Sequence, residues 1–211
     1  MKAANIAIAV LALSAAVVQA PASAFSLGNP LASLGGSSSS SANAGEVLRN
    51  TRDALVSFTK AEMGLSQALG GYADLTAQQQ LVANMKTGDA APKKEDFEAL
   101  VAIHKTAKEL IDKKTGENAA LDASNKSLAG KSMVEYIKGV VHTKKIAGSV
   151  QDLAKNPMAM VGDATTLLYV AKEVPTITAS AASSTGNLMK YLSSNGVDMA
   201  EANKEADTLG K

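Results

Sequence analysis

The chain has 211 residues, with 21 Lys and Arg against 20 Asp and Glu, no cysteine, no tryptophan and 3% aromatic residues. The near-neutral balance carries only short lysine pairs (Lys93-Lys94, Lys113-Lys114, Lys144-Lys145). Nucleic-acid binding, which needs a basic stripe against phosphates, is therefore not expected. Without cysteine there are no disulfides, zinc–thiolate sites, iron–sulfur clusters or covalently attached haem, and so few rings disfavour stacking platforms.

The first 24 residues read as a cleaved secretory signal peptide: Lys2, an uncharged apolar run from Ala3 to Val18, then Ala22-Ser23-Ala24. The run is shorter than the roughly 20 residues that span a bilayer. The small residues at Ala22 and Ala24 place the cut before Phe25, and no cysteine follows for lipid attachment. The expected address is the bacterial periplasm or the medium. Taking 24 residues from 211 leaves 187, enough for one domain, with 20 basic and 20 acidic side chains because only Lys2 is lost.

Residues 25–43 read as a flexible, disordered Gly/Ser-rich linker that includes the run Ser37 to Ser41. Its start carries Phe25, Leu27, Leu31 and Leu34, an apolar tip suited to meeting a partner.

A helical pattern then begins. Leu48, Thr51, Leu55, Phe58, Glu62, Leu65, Leu69 and Tyr72 recur at spacings of three and four, the stripe of a packed amphipathic helix. Thr76 with Gln79 reads as a capping box opening a second helix that ends near Lys86, before Gly88. Pro92 suits the first turn of a third, with the stripe Phe97, Leu100, Val101, His104, Ala107 and Ile111. Its acids (Glu95, Asp96, Glu98) lie early and its bases (Lys113, Lys114) late, complementing the helix dipole.

From Glu117 to Lys155 one long helix or two are expected, with Gly130 marking a candidate break. Leu121, Leu128, Val134, Ile137, Val141, Val150 and Leu153 form the expected apolar face. Asn156-Pro157 reads as the start of the next helix, ended or kinked at Pro175, beyond which Thr176 to Ser184 holds only small residues and Ile177. Asn195-Gly196-Val197 fits a Schellman stop, and Asp198 caps a last short helix with Glu201 at N3. An all-α, mostly antiparallel bundle of about four to six helices over residues 44–211 follows.

Sites are sparse. The two histidines, His104 and His142, lie on or beside apolar stripes, and with Glu62 they are the candidate metal or haem ligands. No Glu-x-x-His motif accompanies them. The competing reading is a pair of half-buried histidines that bond a backbone carbonyl or a glutamate such as Glu62. Met158-Ala159-Met160 has a copper(I)-like spacing, but residues two apart on a helix face opposite sides, which favours core filling. Glu62, Glu98 and Glu135 would form an acid–base pair only if the bundle gathered two of them. Ser124 to Ser127 read as linker polarity.

The resulting expectation is an exported helical bundle, not an enzyme, that acts by binding a protein or envelope component, with no cofactor and no transmembrane span in the mature chain. The alternatives are a bundle that holds a small ligand, metal or haem, and a hydrolase or lyase. Intact-mass measurement and N-terminal sequencing of the exported protein should find it beginning at Phe25. A mature chain that retains Met1, or starts elsewhere, contradicts the signal-peptide reading.

Overall fold

The computed structural model describes residues 44–70, 75–85, 90–118, 120–155 and 164–209. These residues form six helices and no strand: α1 (Ala44–Ala68), α2 (Thr76–Asn84), α3 (Lys94–Gly116), α4 (Ala123–Ala154), α5 (Ala164–Ser194) and α6 (Ala200–Ala206). The leader, the tip residues Phe25, Leu27, Leu31 and Leu34, Tyr72, Lys86, Gly88, Asn156-Pro157 and Met158-Ala159-Met160 lie outside the described residues.

The stripes of α1 and α3 are buried as their spacing requires. Leu48, Thr51, Leu55, Phe58, Glu62, Leu65 and Leu69 are all buried, and so are Phe97, Leu100, Val101, His104, Ala107 and Ile111. Four long helices close into a ring in the order α1, α4, α5, α3. The most extensive seams are antiparallel. Gly139 of α4 meets Phe58 of α1 while Ser132 meets Gly64. Tyr136 Oη donates to the Ala181 carbonyl of α5 at 3.2 Å, while Leu121 N–H reaches Asn195 Oδ1, just beyond α5.

α3, by contrast, runs parallel to both its neighbours. His104 meets Glu62 and the Ala107 carbonyl accepts from Ser66 Oγ, so α1 and α3 advance together. On the other side Lys94 lies over Tyr169 near the start of α5, while Asp112 and Thr115 share a groove with Asn187 and Tyr191 near its end. The connection containing α2 returns the chain along the bundle between α1 and α3. Arg52 fastens that return, its Nη1 donating to the Ala90 carbonyl at 2.6 Å. α3 and α4, although joined by a short turn, face each other across the bundle instead of packing side by side.

Several helix ends differ from the sequence expectation. Thr76 is the first residue of α2, with Leu75 at the cap position, so the Thr76–Gln79 box is not the cap. α3 starts at Lys94, and its first turn is closed by Asp96, whose carboxylate accepts from Lys93 N–H. Ser124 and Asn125 are not linker residues. Both donate to Asp122, the N-cap of α4, and the Asn125 amide bond foremost holds that carboxyl below its ordinary value.

α4 runs unbroken through Gly130, and α5 continues through Pro175. The proline removes one helix hydrogen bond at a typical cost of about 3 kcal/mol, and burial of Val174, Ile177 and Thr178 around it offsets that cost. The face of α4 is also broader than expected. Ala129, Met133, Tyr136 and Val140 join Ile137 and Val150 in the core, whereas Leu121, Leu128, Val141 and Leu153 are only partly buried. The Schellman stop forms as its sequence requires: Val197 N–H bonds the Leu192 carbonyl, Gly196 N–H bonds that of Ser193, and Gly196 takes φ 73°. Asp198 accepts from Ala200 N–H, but Met199 holds the cap position of α6, so Asp198 with Glu201 is not its capping box. No helix among the described residues is long and apolar enough to cross a membrane.

Close approach of α1 and α4 depends on a missing side chain. A methyl at Gly139 would lie 2.7 Å from Phe58 Cδ2 and 3.2 Å from its Cα, and backbone cannot step aside as a side-chain tip can. Gly139→Ala should therefore cost about 1–3 kcal/mol through overpacking, although alanine favours helix. Gly148, exposed on the same helix with open space beside it, should gain up to about 1 kcal/mol on the same change. Urea unfolding of the two variants checks the pair, and equal shifts would contradict the packing of this seam.

Candidate functional site

The buried polar centre of the bundle lies between α1 and α3. On α1 the positions Leu48, Thr51, Arg52, Leu55, Phe58 and Glu62 follow the i, i+3, i+4 rule, so Glu62 is carried inward with the apolar stripe. His104 occupies the matching place on α3, after Leu100 and Val101. Its Nδ1 lies 2.7 Å from Glu62 Oε1 and 3.0 Å from Oε2. Glu62 is 1% exposed and His104 4%. Phe58 lies beside the imidazole with ring centroids 5.8 Å apart, and Tyr136 stands 5.5 Å from Phe58 on its other side.

Burial pushes the Glu62 carboxyl above its ordinary value, opposed first by the hydrogen bond from His104 and then by the positive charges of His104 and Lys108. A pair that holds one proton is neutral, either as imidazolium with carboxylate or as imidazole with carboxylic acid, and so leaves no net charge in the core. Tyr136 is held protonated. Burial raises its phenol furthest, and the negative charges of Glu62 and Asp112 add to the effect.

The three candidate ligands do not converge. The α1–α4 register sets Glu62 level with Val134 and Glu135, so His142 lies about seven residues, roughly 10 Å, further along α4. Among the described residues no three His, Asp or Glu side chains gather as a metal site would require. Glu98 bonds Lys94 at 2.6 Å and Glu135 bonds Lys138 at 3.1 Å, each on its own helix, and the charges acting on Glu62 are those of His104 and Lys108. Lys108 and Asp112 pair one turn apart, as their spacing indicates.

Two elements of this centre were missed in the sequence. Tyr136 lies off the face the spacing gives α4, and it is buried between Phe58 of α1 and α5, where its hydroxyl donates to the Ala181 carbonyl. Arg52, 1% exposed, bonds Asp53 and the Ala90 carbonyl. Its signal was present, since it stands four residues after Leu48 and three before Leu55.

A groove of about 280 Å³ opens between the C-terminal parts of α3 and α5, walled by Ile111, Asp112, Thr115, Asn187, Leu188 and Tyr191. Neither Glu62 nor His104 lines it. The Glu62–His104 pair and this concavity therefore occupy different places. Compared with known proteins, the chain matches no family, no curated protein and no solved structure.

Glu62→Ala should cost about 3–5 kcal/mol, the range for removing one member of a buried pair. Glu62→Gln, which keeps an acceptor for His104, should cost far less. Because the folded carboxyl value lies above the ordinary 4.5, the stability carried by Glu62 is full below pH 4.5 and is lost as pH rises through the folded value. Wild type should therefore gain on Glu62→Gln as pH falls toward 4.5. Chemical denaturation across pH reads both effects, and an Ala variant as stable as wild type would contradict the pair's structural role.

Proposed function

We propose that this chain is an exported, non-catalytic helical bundle that acts by binding a protein or envelope component. The observation that carries the reading is the enclosure of Glu62 and His104. The side chains best suited to acid–base chemistry are bonded to each other inside the core and lie apart from the α3–α5 groove. A general base must reach the proton it removes, and burial of both members against Phe58 works against that access.

Support for the binding half comes from the sequence ahead of α1. An apolar tip of Phe25, Leu27, Leu31 and Leu34 on a serine-rich tether would follow signal cleavage and present the kind of surface that partners cover. The address, periplasm or medium, rests on the leader from Met1 to Ala24.

Deleting Phe25 to Ser41 from the exported chain tests the proposal, because the deletion leaves α1 intact. A photo-crosslinker at Leu31 of the full chain should yield one discrete adduct with an envelope component. The deleted form should lose affinity for that purified component by at least about tenfold, or 1.4 kcal/mol, with an unchanged melting temperature. Undiminished affinity after deletion would remove the tip from the proposal, and no discrete adduct from the full chain would remove the binding role assigned to it.

A further inference from the structure

The seam between α1 and α4 holds polar groups of a different kind from the Glu62–His104 pair, because these lack partners. His142 sits on α4 one turn beyond Gly139, the residue that packs on Phe58. It is 9% exposed, and its Nε2 has no hydrogen-bond partner. The same register that joins Phe58 to Gly139 sets Asn50 of α1 level with Ile146 and Ala147, about one turn past His142. Asn50 Nδ2 is also buried without a partner. Each of these two nitrogens, at neighbouring levels of the paired helices, carries a typical desolvation cost of about 1–3 kcal/mol.

We propose that this half of the α1–α4 seam is an acid-responsive latch, closed while His142 is neutral and loosened when its imidazole takes a proton.

The surrounding charges support this. On α4 itself Lys145 is a cation one turn away, and Glu135, two turns back, is held by Lys138. On α1, Asp53 is paired with Arg52 and Glu62 with His104, and the helix also carries Glu46, Arg49 and Lys60. On α5, Lys172 and Glu173 pair with each other, and α6 bears Glu201, Lys204 and Glu205. Of these described groups, Lys145 is the one whose charge acts on His142, and it repels an imidazolium. Burial first, and Lys145 second, hold the histidine below its ordinary value of 6.5. The unfolded chain binds the proton at that ordinary value and the folded chain resists it. Stability is therefore level above pH 6.5 and falls as pH drops below it.

The experiment is hydrogen–deuterium exchange on the full exported chain at about pH 7.5 and about pH 5, corrected for intrinsic rates. Amides of residues 50–58 and 139–150 should lose protection severalfold, while those of the α3–α5 seam keep theirs. His142→Gln, which cannot take the proton, should abolish most of that loss. Unchanged protection in wild type, or the same loss in His142→Gln, overturns the latch. Should the variant fail to fold, an NMR titration of the His142 ring in the unaltered chain decides. A midpoint below 6.5 supports the proposal, and one at or above 6.5 overturns it.

Discussion

A carboxyl group carried inward on an enclosed helix is the constraint on which this bundle turns. From Thr51 to Ala68 no residue of α1 is exposed, with α4, α3 and α2 packed around it. Glu62 lies within that stretch and cannot reach water, so its partner must come from the protein. His104 supplies it, and in doing so fixes both the rotation of α3 about its own axis and its position along α1. Ser66 bonding the Ala107 carbonyl, one turn further on, holds the same register.

The direction of α3 belongs to the same constraint. To bring His104 to Glu62 and Ala107 to Ser66, α3 must run parallel to α1, which obliges the chain to travel back along the bundle before α3 begins. Arg52 holds that return through Ala90. Three helices then point one way and α4 the other, so their dipoles do not cancel in pairs. α3 answers locally, with Glu95 and Asp96 in its first turn and Lys113 and Lys114 in its last. α4 sits between α1 and α5, antiparallel to both, and its small residues decide how near they come. Gly139 admits Phe58 against its backbone, and α5 comes near enough for the Ala181 carbonyl to accept the Tyr136 hydroxyl.

Elements whose large apolar residues recur at helical spacing were legible residue by residue. The stripes of α1 and α3 could be read because each repeats at helical spacing, although α1 buries Val56, Ala61 and Met63 beyond its stripe, and a local signal such as Asn195-Gly196-Val197 needs only its neighbours to form. α4 was harder. It packs against α1 on one side and α5 on another, so its inward residues cover more than one stripe, and Met133, Tyr136 and Val140 fell outside the face chosen for it. Pro175 and Gly130 suggest interruptions because each weakens a lone helix. Inside the bundle, contacts across the seams outweigh those local costs. The histidines divide similarly. His104 with Glu62 matches the structural alternative weighed in the sequence, whereas the separation of His142 from them depends on which helices become neighbours.

By itself the sequence determined that the chain folds as helices, where most of them lie, and which faces of α1 and α3 turn inward. Those properties follow from periodicity, caps and stops within about two turns of chain. Only the tertiary structure decided the ring order, the parallel course of α3, the partner of Glu62 and the separation of His142 from that pair. Each of these joins residues far apart in sequence. What selects them is the packing of whole faces and the need to compensate buried polar groups, neither of which leaves a local pattern.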